Sequence, residues 1–253
     1  MDTILQFFSG AAVGLSLGLT GGGGSLLAVP LLVYVVGQNL HLALGTSLAS
    51  VGATSLGGAL RRMTEGQVAI RTGVLFAALG GVGTYLGTRM NAWVPGPVLL
   101  VLMALVIGFV AARMWRKGNG RGKSPVSEGK IRPLLMIPTA FVTGIASGFF
   151  GIGGGFLIVP ALALVGGLAM GTAIATSLLV ISINGALGVA SYAVQGRPID
   201  YGVASVFIAG GLTGMWLGQK AGGRLNERAL ARVFTLVLVL AAGFLLYKNL
   251  PAI

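Results

Sequence analysis

The 253-residue chain is 55% hydrophobic and only 9% charged, whereas an ordinary soluble domain carries about 25% charged residues. That leaves too little polar surface to cover an aqueous fold, and the apolar stretches recur at about the 20 residues that ~30 Å of hydrocarbon demands of a helix, so the bilayer is the solvent. The formal charge of +12 sits in short loops without interleaved aromatic platforms, which argues against nucleic acid, and the absence of cysteine excludes disulfides, thiolate metal sites and thiol redox chemistry.

The first apolar segment, 4–37, follows no basic leader and meets no small-residue cleavage site, so it reads as a retained membrane element. It is interrupted by Gly21, Gly22, Gly23, Gly24 and Ser25, with Pro30 beyond. Glycines in a cluster strip side-chain packing and favour non-helical backbone, which predicts two short half-helices meeting there. Three continuous segments follow, 42–60, 68–88 and 93–114; the first opens beside His41 and carries Thr46, Ser47 and Thr54. A lone interfacial histidine reads as a solvated terminus. A basic stretch, 116–132, with Arg116, Lys117, Arg121, Lys123 and Lys130 against Glu128, reads as a linker between membrane units 1–115 and 133–253.

The second unit repeats the first. Shifted by 130 residues, Gly14-Leu-Ser-Leu-Gly18 lies on Gly144-Ile-Ala-Ser-Gly148 and Gly21-Gly-Gly-Gly-Ser25 on Gly151-Ile-Gly-Gly-Gly155. Pro30 falls on Pro160, Thr46-Ser47-Leu48 on Thr176-Ser177-Leu178, Thr54 on Asn184, and Glu65-Gly66 on Gln195-Gly196. Its segments are 134–165, again interrupted, then 170–194, 201–219 and 230–250. The expected fold is therefore an all-α polytopic membrane protein of two repeats, each a glycine-interrupted element plus three transmembrane helices.

Parity decides whether the repeats are parallel or inverted. If each interrupted segment is one span, the repeats are parallel; if it is a hairpin turning at the glycines, they are inverted. The hairpin reading gathers fourteen of the basic residues on one side and leaves Arg89, Arg197 and Lys248 on the other, while the single-span reading splits them twelve to five. The positive-inside rule favours the hairpin, hence inverted repeats with a cytoplasmic linker and both termini outside.

In that arrangement the two glycine turns meet near the midplane, and the half-helices beginning at Ser25 and Gly155 point their unpaired N–H groups and positive dipole ends at one cavity. Such ends form an anion site without a buried arginine. The candidate binding residues are Gly21, Gly22, Gly23, Gly24, Ser25, Thr46 and Ser47 in the first unit. In the second they are Gly151, Gly153, Gly154, Gly155, Thr176, Ser177 and Asn184. The competing reading of the glycines is close helix packing, the natural role of Gly14-xxx-Gly18, Gly83-xxx-Gly87 and Gly214-xxx-Gly218. Serine and threonine can likewise satisfy their own helix backbone. A nucleotide P-loop is a poor fit, because Leu26 and Phe156 stand where Lys-Ser/Thr would be required.

Asp2, Glu65, Glu128, Asp200 and Glu227 all fall at or near segment ends, so no intramembrane carboxylate is available as proton relay or cation ligand. No catalytic set, metal cluster or cofactor motif is legible, which makes an intramembrane enzyme the weakest option.

The duplicated pattern, Gly14-xxx-Gly18 through Gly24 to Pro30 with Thr46-Ser47-Leu48, and again Gly144 through Gly-Ile-Gly-Gly-Gly to Pro160 with Thr176-Ser177-Leu178, resembles the TauE/SafE family of sulfite exporters over nearly the whole chain. Gly22 replaces the usual isoleucine and Ser25 the last glycine in the first half. The resemblance implies export of sulfite or of organosulfonates such as sulfoacetate. The expected partners are a small anion, the lipid bilayer and, through GxxxG-rich edges, a homodimer that the sequence permits but does not require. The rival expectations are uptake or sodium-coupled transport of another small anion, and a membrane scaffold without substrate.

Overall fold

The computed structural model describes residues 2–118, 133–151, 154–222 and 227–249; the expected linker 116–132 and the candidate residue Gly153 lie wholly or mostly outside them. The described residues form ten α-helices: α1 Asp2–Thr20, α2 Ser25–Tyr34, α3 Leu40–Thr64, α4 Ile70–Met90 and α5 Gly96–Gly118, then α6 Pro133–Phe150, α7 Gly155–Leu164, α8 Met170–Val194, α9 Tyr201–Gly222 and α10 Glu227–Asn249. The second five follow the first in order and length. α3 and α8 are 25 residues each, while α2 and α7 are 10 each, about 15 Å at 1.5 Å per residue and half the hydrocarbon thickness.

The protein is embedded in a membrane. α1, α8 and α9 are each long and apolar enough to cross a bilayer, and large apolar side chains are exposed while several hydroxyls are buried beside an apolar core. Ser25, Thr46, Ser47 and Ser50 are fully buried, while Leu75, Val82, Phe109 and Leu240 are each at least 60% exposed. Apolar side chains turned outward and hydroxyls turned inward suit hydrocarbon as solvent.

The chain turns back on itself at each glycine cluster. A Cβ built on Gly24 would lie 2.7 Å from the carbonyl oxygen of Val13 in α1; had the helix run straight, those residues would be about 16 Å apart. In the second half Gly154 meets Ser147 and Thr143 of α6 in the same way. Gly21 and Gly151 make the turns possible, with φ of 72° and 64° where a Cβ would be strained.

The major helix interfaces all run between the first five helices and the last five: α1 on α9, α4 on α6, α3 on α8 and α5 on α10. Gly10, Gly14 and Gly18 of α1 meet Phe207, Gly211 and Met215 of α9 in the same order, so these helices run parallel. Gly80, Gly83 and Gly87 of α4 meet Gly144, Phe141 and Ile145 of α6 by the same device. α3 and α8 instead run antiparallel, with Gly45 on Tyr192, Leu48 on Gly188 and Gly52 on Gly185. Hydrocarbon offers no hydrophobic drive for helices to associate, so the close backbone approach that glycine allows supplies van der Waals contact in its place. The GxxxG pairs of α1, α4 and α9 therefore pack helices.

Candidate functional site

The two glycine loops meet. A Cβ on Gly155 would lie 2.6 Å from the Gly22 Cα and 2.8 Å from the Gly22 carbonyl oxygen, so the loops touch through bare backbone. Each also rests on the long helix of the opposite half: Gly21 against Ile174 and Ser177 of α8, and Gly151 against Leu44 of α3. α2 and α7 start at this junction; the N–H groups of Leu26, Leu27 and Leu157 close onto the carbonyls of Gly23, Gly24 and Gly154, while those of Ser25 and Gly155 have no backbone acceptor among the described residues.

The loops are not copies. Gly154 adopts a left-handed φ of 67°, whereas Gly24 at the matching position is right-handed at −67°. The first loop instead closes on itself by the Ser25 hydroxyl, which donates to the Gly22 carbonyl at 2.7 Å. Ser25 stands where the second half has Gly155, so the sequence departure noted in the first half is a change of loop geometry.

The candidate hydroxyls divide into two groups. The Thr46 hydroxyl donates to the Leu42 carbonyl at 2.9 Å and accepts from the Asp200 N–H at 3.3 Å, while Thr176 accepts from the Ala69 N–H at 3.0 Å. Both threonines thus fasten the loop that precedes the next long helix of the other half. Ser177 donates to the Ile174 carbonyl at 2.7 Å, leaving its oxygen lone pairs beside Gly21. Ser47 and Asn184 are at most 1% exposed, yet the Ser47 hydroxyl and both ends of the Asn184 amide lack a hydrogen-bond partner among the described residues. Ser47 lies one turn beyond Leu44, which touches Gly151, and Asn184 one turn beyond Ile181, which touches Gly155. Buried polar groups are nearly always bonded, so these unmet groups around one junction require an explanation.

Two more serines belong with them, and sequence reasoning missed both. Ser16 and Ser147, buried and also without a partner, lie beside Gly24 and Gly154 on the first helix of each hairpin. They do not occupy matching repeat positions, so a search for duplicated polar residues passes over them.

Charged groups stay at the ends. Asp200 accepts from the Val203 N–H at 2.9 Å and caps α9, and Glu65 pairs with Arg61 at 3.5 Å in the last turn of α3. Among the described residues no group of histidine, aspartate and glutamate could hold a metal ion. At the α8 end lies a buried polar cluster that sequence reasoning did not single out. There Asn91 bonds the Gly148 carbonyl at 3.1 Å, Thr88 and Ser191 share a 2.6 Å hydrogen bond, and the Gln195 amide donates to both hydroxyls.

The family model for sulfite exporter TauE/SafE matches residues 6–245. A probable membrane transporter protein of Xylella fastidiosa is 39% identical, with 97% of this chain and 95% of that protein covered. The probable membrane transporter proteins YdhB and YunE of Bacillus subtilis are 27% and 25% identical, over 93% and 99% of this chain and 96% and 99% of their own. No solved structure matches the chain. With a match over nearly its full length, and a glycine-loop junction formed by both halves, the chain belongs to the sulfite exporter TauE/SafE family of membrane transporters.

Proposed function

We propose that the protein is a secondary transporter that exports small sulfur-containing anions, such as sulfite or organosulfonates, across a bacterial inner membrane. The observation that carries this reading is the junction itself. Two helix N-termini converge on touching glycine loops, ringed by the unmet polar groups of Ser16, Ser47, Ser147 and Asn184. No carboxylate lies near it among the described residues. Converging N–H groups and hydroxyls form a preorganised donor set, which suits an oxyanion and repels no negative charge. Gly21 to Ser25, Gly151, Gly154, Gly155, Ser47, Ser177 and Asn184 would touch the anion, with Thr46 and Thr176 holding the walls.

The same reading makes the two units, 1–115 and 133–253, inverted repeats. The antiparallel crossing of α3 and α8, which occupy the same place in the two halves, supports it, as does the reciprocal packing of α1 on α9 and α6 on α4. The excess of basic residues then faces the cytoplasm, with both termini outside. Because the tight interfaces join one half to the other, the bodies that rock during transport are the α1–α9 and α4–α6 pairs, not the sequence halves. Outward movement of one negative charge from a negative cytoplasm releases about 2.3 kcal/mol per 100 mV, so export needs no proton relay.

The test is sulfite flux in liposomes under an imposed potential, beside thermal stability of the purified protein against sulfite, thiosulfate, sulfoacetate, taurine, sulfate, phosphate and chloride. Stabilisation confined to one or two sulfur anions, and lost with flux in Gly154→Leu, is the expected result. Unchanged flux in that variant would sink the site, and stabilisation by chloride or phosphate alone would sink the substrate class.

A further inference from the structure

We propose that each mouth of the protein carries its own oxyanion-capture site, built on Arg62 at one end and on Arg197 at the other, which hands the anion to the glycine loops. The proposal rests on the transport reading above and adds residues and steps to it.

The two arginines lie at opposite ends because α3 and α8 run antiparallel and each arginine sits at or just past the C-terminal end of one of them. Arg62 donates from Nη1 to Gln67 Oε1 at 2.8 Å and from Nη2 to the Gly18 carbonyl at 3.4 Å. Arg197 donates from Nη1 to the Thr88 carbonyl at 2.9 Å and to Asn91 Oδ1 at 2.6 Å, and lies 4.1 Å over the Tyr192 ring. Asn91 in turn bonds the Gly148 carbonyl. Gly18 and Gly148 are the same position in the two halves, three residues before each glycine turn. Both guanidiniums therefore attend the C-terminal end of the first hairpin helix, one directly and one through Asn91.

The internal repeat provides the decisive comparison. In the 130-residue register, positions 62 and 67 of the first half match 192 and 197 of the second. The first pair is Arg and Gln, the second Tyr and Arg, and in each half the two side chains touch. The positive charge has changed places within the pair yet remains under the same helix end. A packing requirement would fix volume at each position; a requirement for charge at one point in space can be met from either position.

The chemistry fits capture. The helix C-terminus at Gly18 or Gly148 presents carbonyls and the negative end of its dipole, which an entering anion must pass. A guanidinium offsets that field. Neither arginine lies within ion-pair distance of a carboxylate among the described residues, where the ion pair is Arg61 with Glu65, although Glu65 also attracts Arg62 through space. Donors are also spare: Arg62 Nε is buried without a partner among the described residues, and the hydrogen bonds that Arg197 makes to them leave from Nη1. A planar fork of N–H groups matches two oxygens on one centre, so the ligand is an oxyanion such as sulfite or a sulfonate and not a halide.

The experiment is sulfite flux in proteoliposomes of uniform orientation, with KM measured for anion supplied at each face. Arg197→Gln should raise KM about tenfold at its own face and leave the Arg62 face unchanged, and Arg62→Gln should do the reverse, the loss expected for a hydrogen bond to a charged group. Arg62→Tyr with Gln67→Arg, which copies the second half's arrangement into the first, should recover most of the lost affinity. Equal changes at both faces, a fall in kcat at constant KM, or no effect would overturn the proposal. A wild-type protein that carries no sulfite would instead overturn the transport reading on which it rests.

Discussion

Gly155→Ala isolates the contact on which the central site depends. The new Cβ would lie 2.6 Å from the Gly22 Cα and 2.6 Å from Ile181 Cδ1, about 0.8 Å short of the 3.4 Å at which ordinary contact begins. Ile181 can rotate its terminal methyl, but the Gly22 backbone has no side chain to move, so the two loops must part by most of that distance. Forcing extra volume into a packed site costs about 1–3 kcal/mol. A shift of that size is also a large fraction of a hydrogen-bond length, enough to lower anion affinity by at least about tenfold. Gly108→Ala in α5 is the control: a Cβ there meets nothing within 4 Å, and the helix should gain about 0.5–1 kcal/mol. Liposome flux and anion-dependent thermal stabilisation measure both variants. Wild-type flux in Gly155→Ala would refute the reasoning, since it would mean that the loops can separate without consequence for the substrate.

Ser47→Ala should raise thermal stability, because it removes a buried hydroxyl whose desolvation costs about 1–3 kcal/mol uncompensated, while weakening anion stabilisation; a variant less stable than wild type would mean the hydroxyl is bonded in the resting protein. Thr46→Val and Thr176→Val should each destabilise by about 1 kcal/mol through the lost loop bonds from Asp200 and Ala69, with similar losses in the two halves by denaturation in detergent. Asn91→Ala strands the Gly148 carbonyl and removes a partner of Arg197, and should cost about 2–3 kcal/mol, read as a fall in Tm larger than that of either threonine variant.

The sequence by itself determined the solvent, the duplication and the place of the turns. Apolar segment length, the scarcity of charge and the 130-residue repeat are properties of the chain, and a run of three or four glycines favours non-helical backbone where it stands. Charge asymmetry favoured hairpins over single spans, and the return of Gly24 onto α1 supports that reading. Partner choice needed the tertiary structure, because helices surrounded by hydrocarbon are selected by the fit of small residues across an interface, which one strand of sequence does not encode. Hence the exchange of α1 and α6 between halves, the division of the Thr-Ser pairs into wall fasteners and unmet hydroxyls, and the contributions of Ser16 and Ser147 became visible only in three dimensions. Arg62 and Arg197 are the sharpest case. In the sequence they are two loop cations among many, whereas in the fold Arg62 bonds the Gly18 carbonyl near the end of one hairpin helix and Arg197 reaches the end of the other through Asn91, from positions that do not match in the repeat.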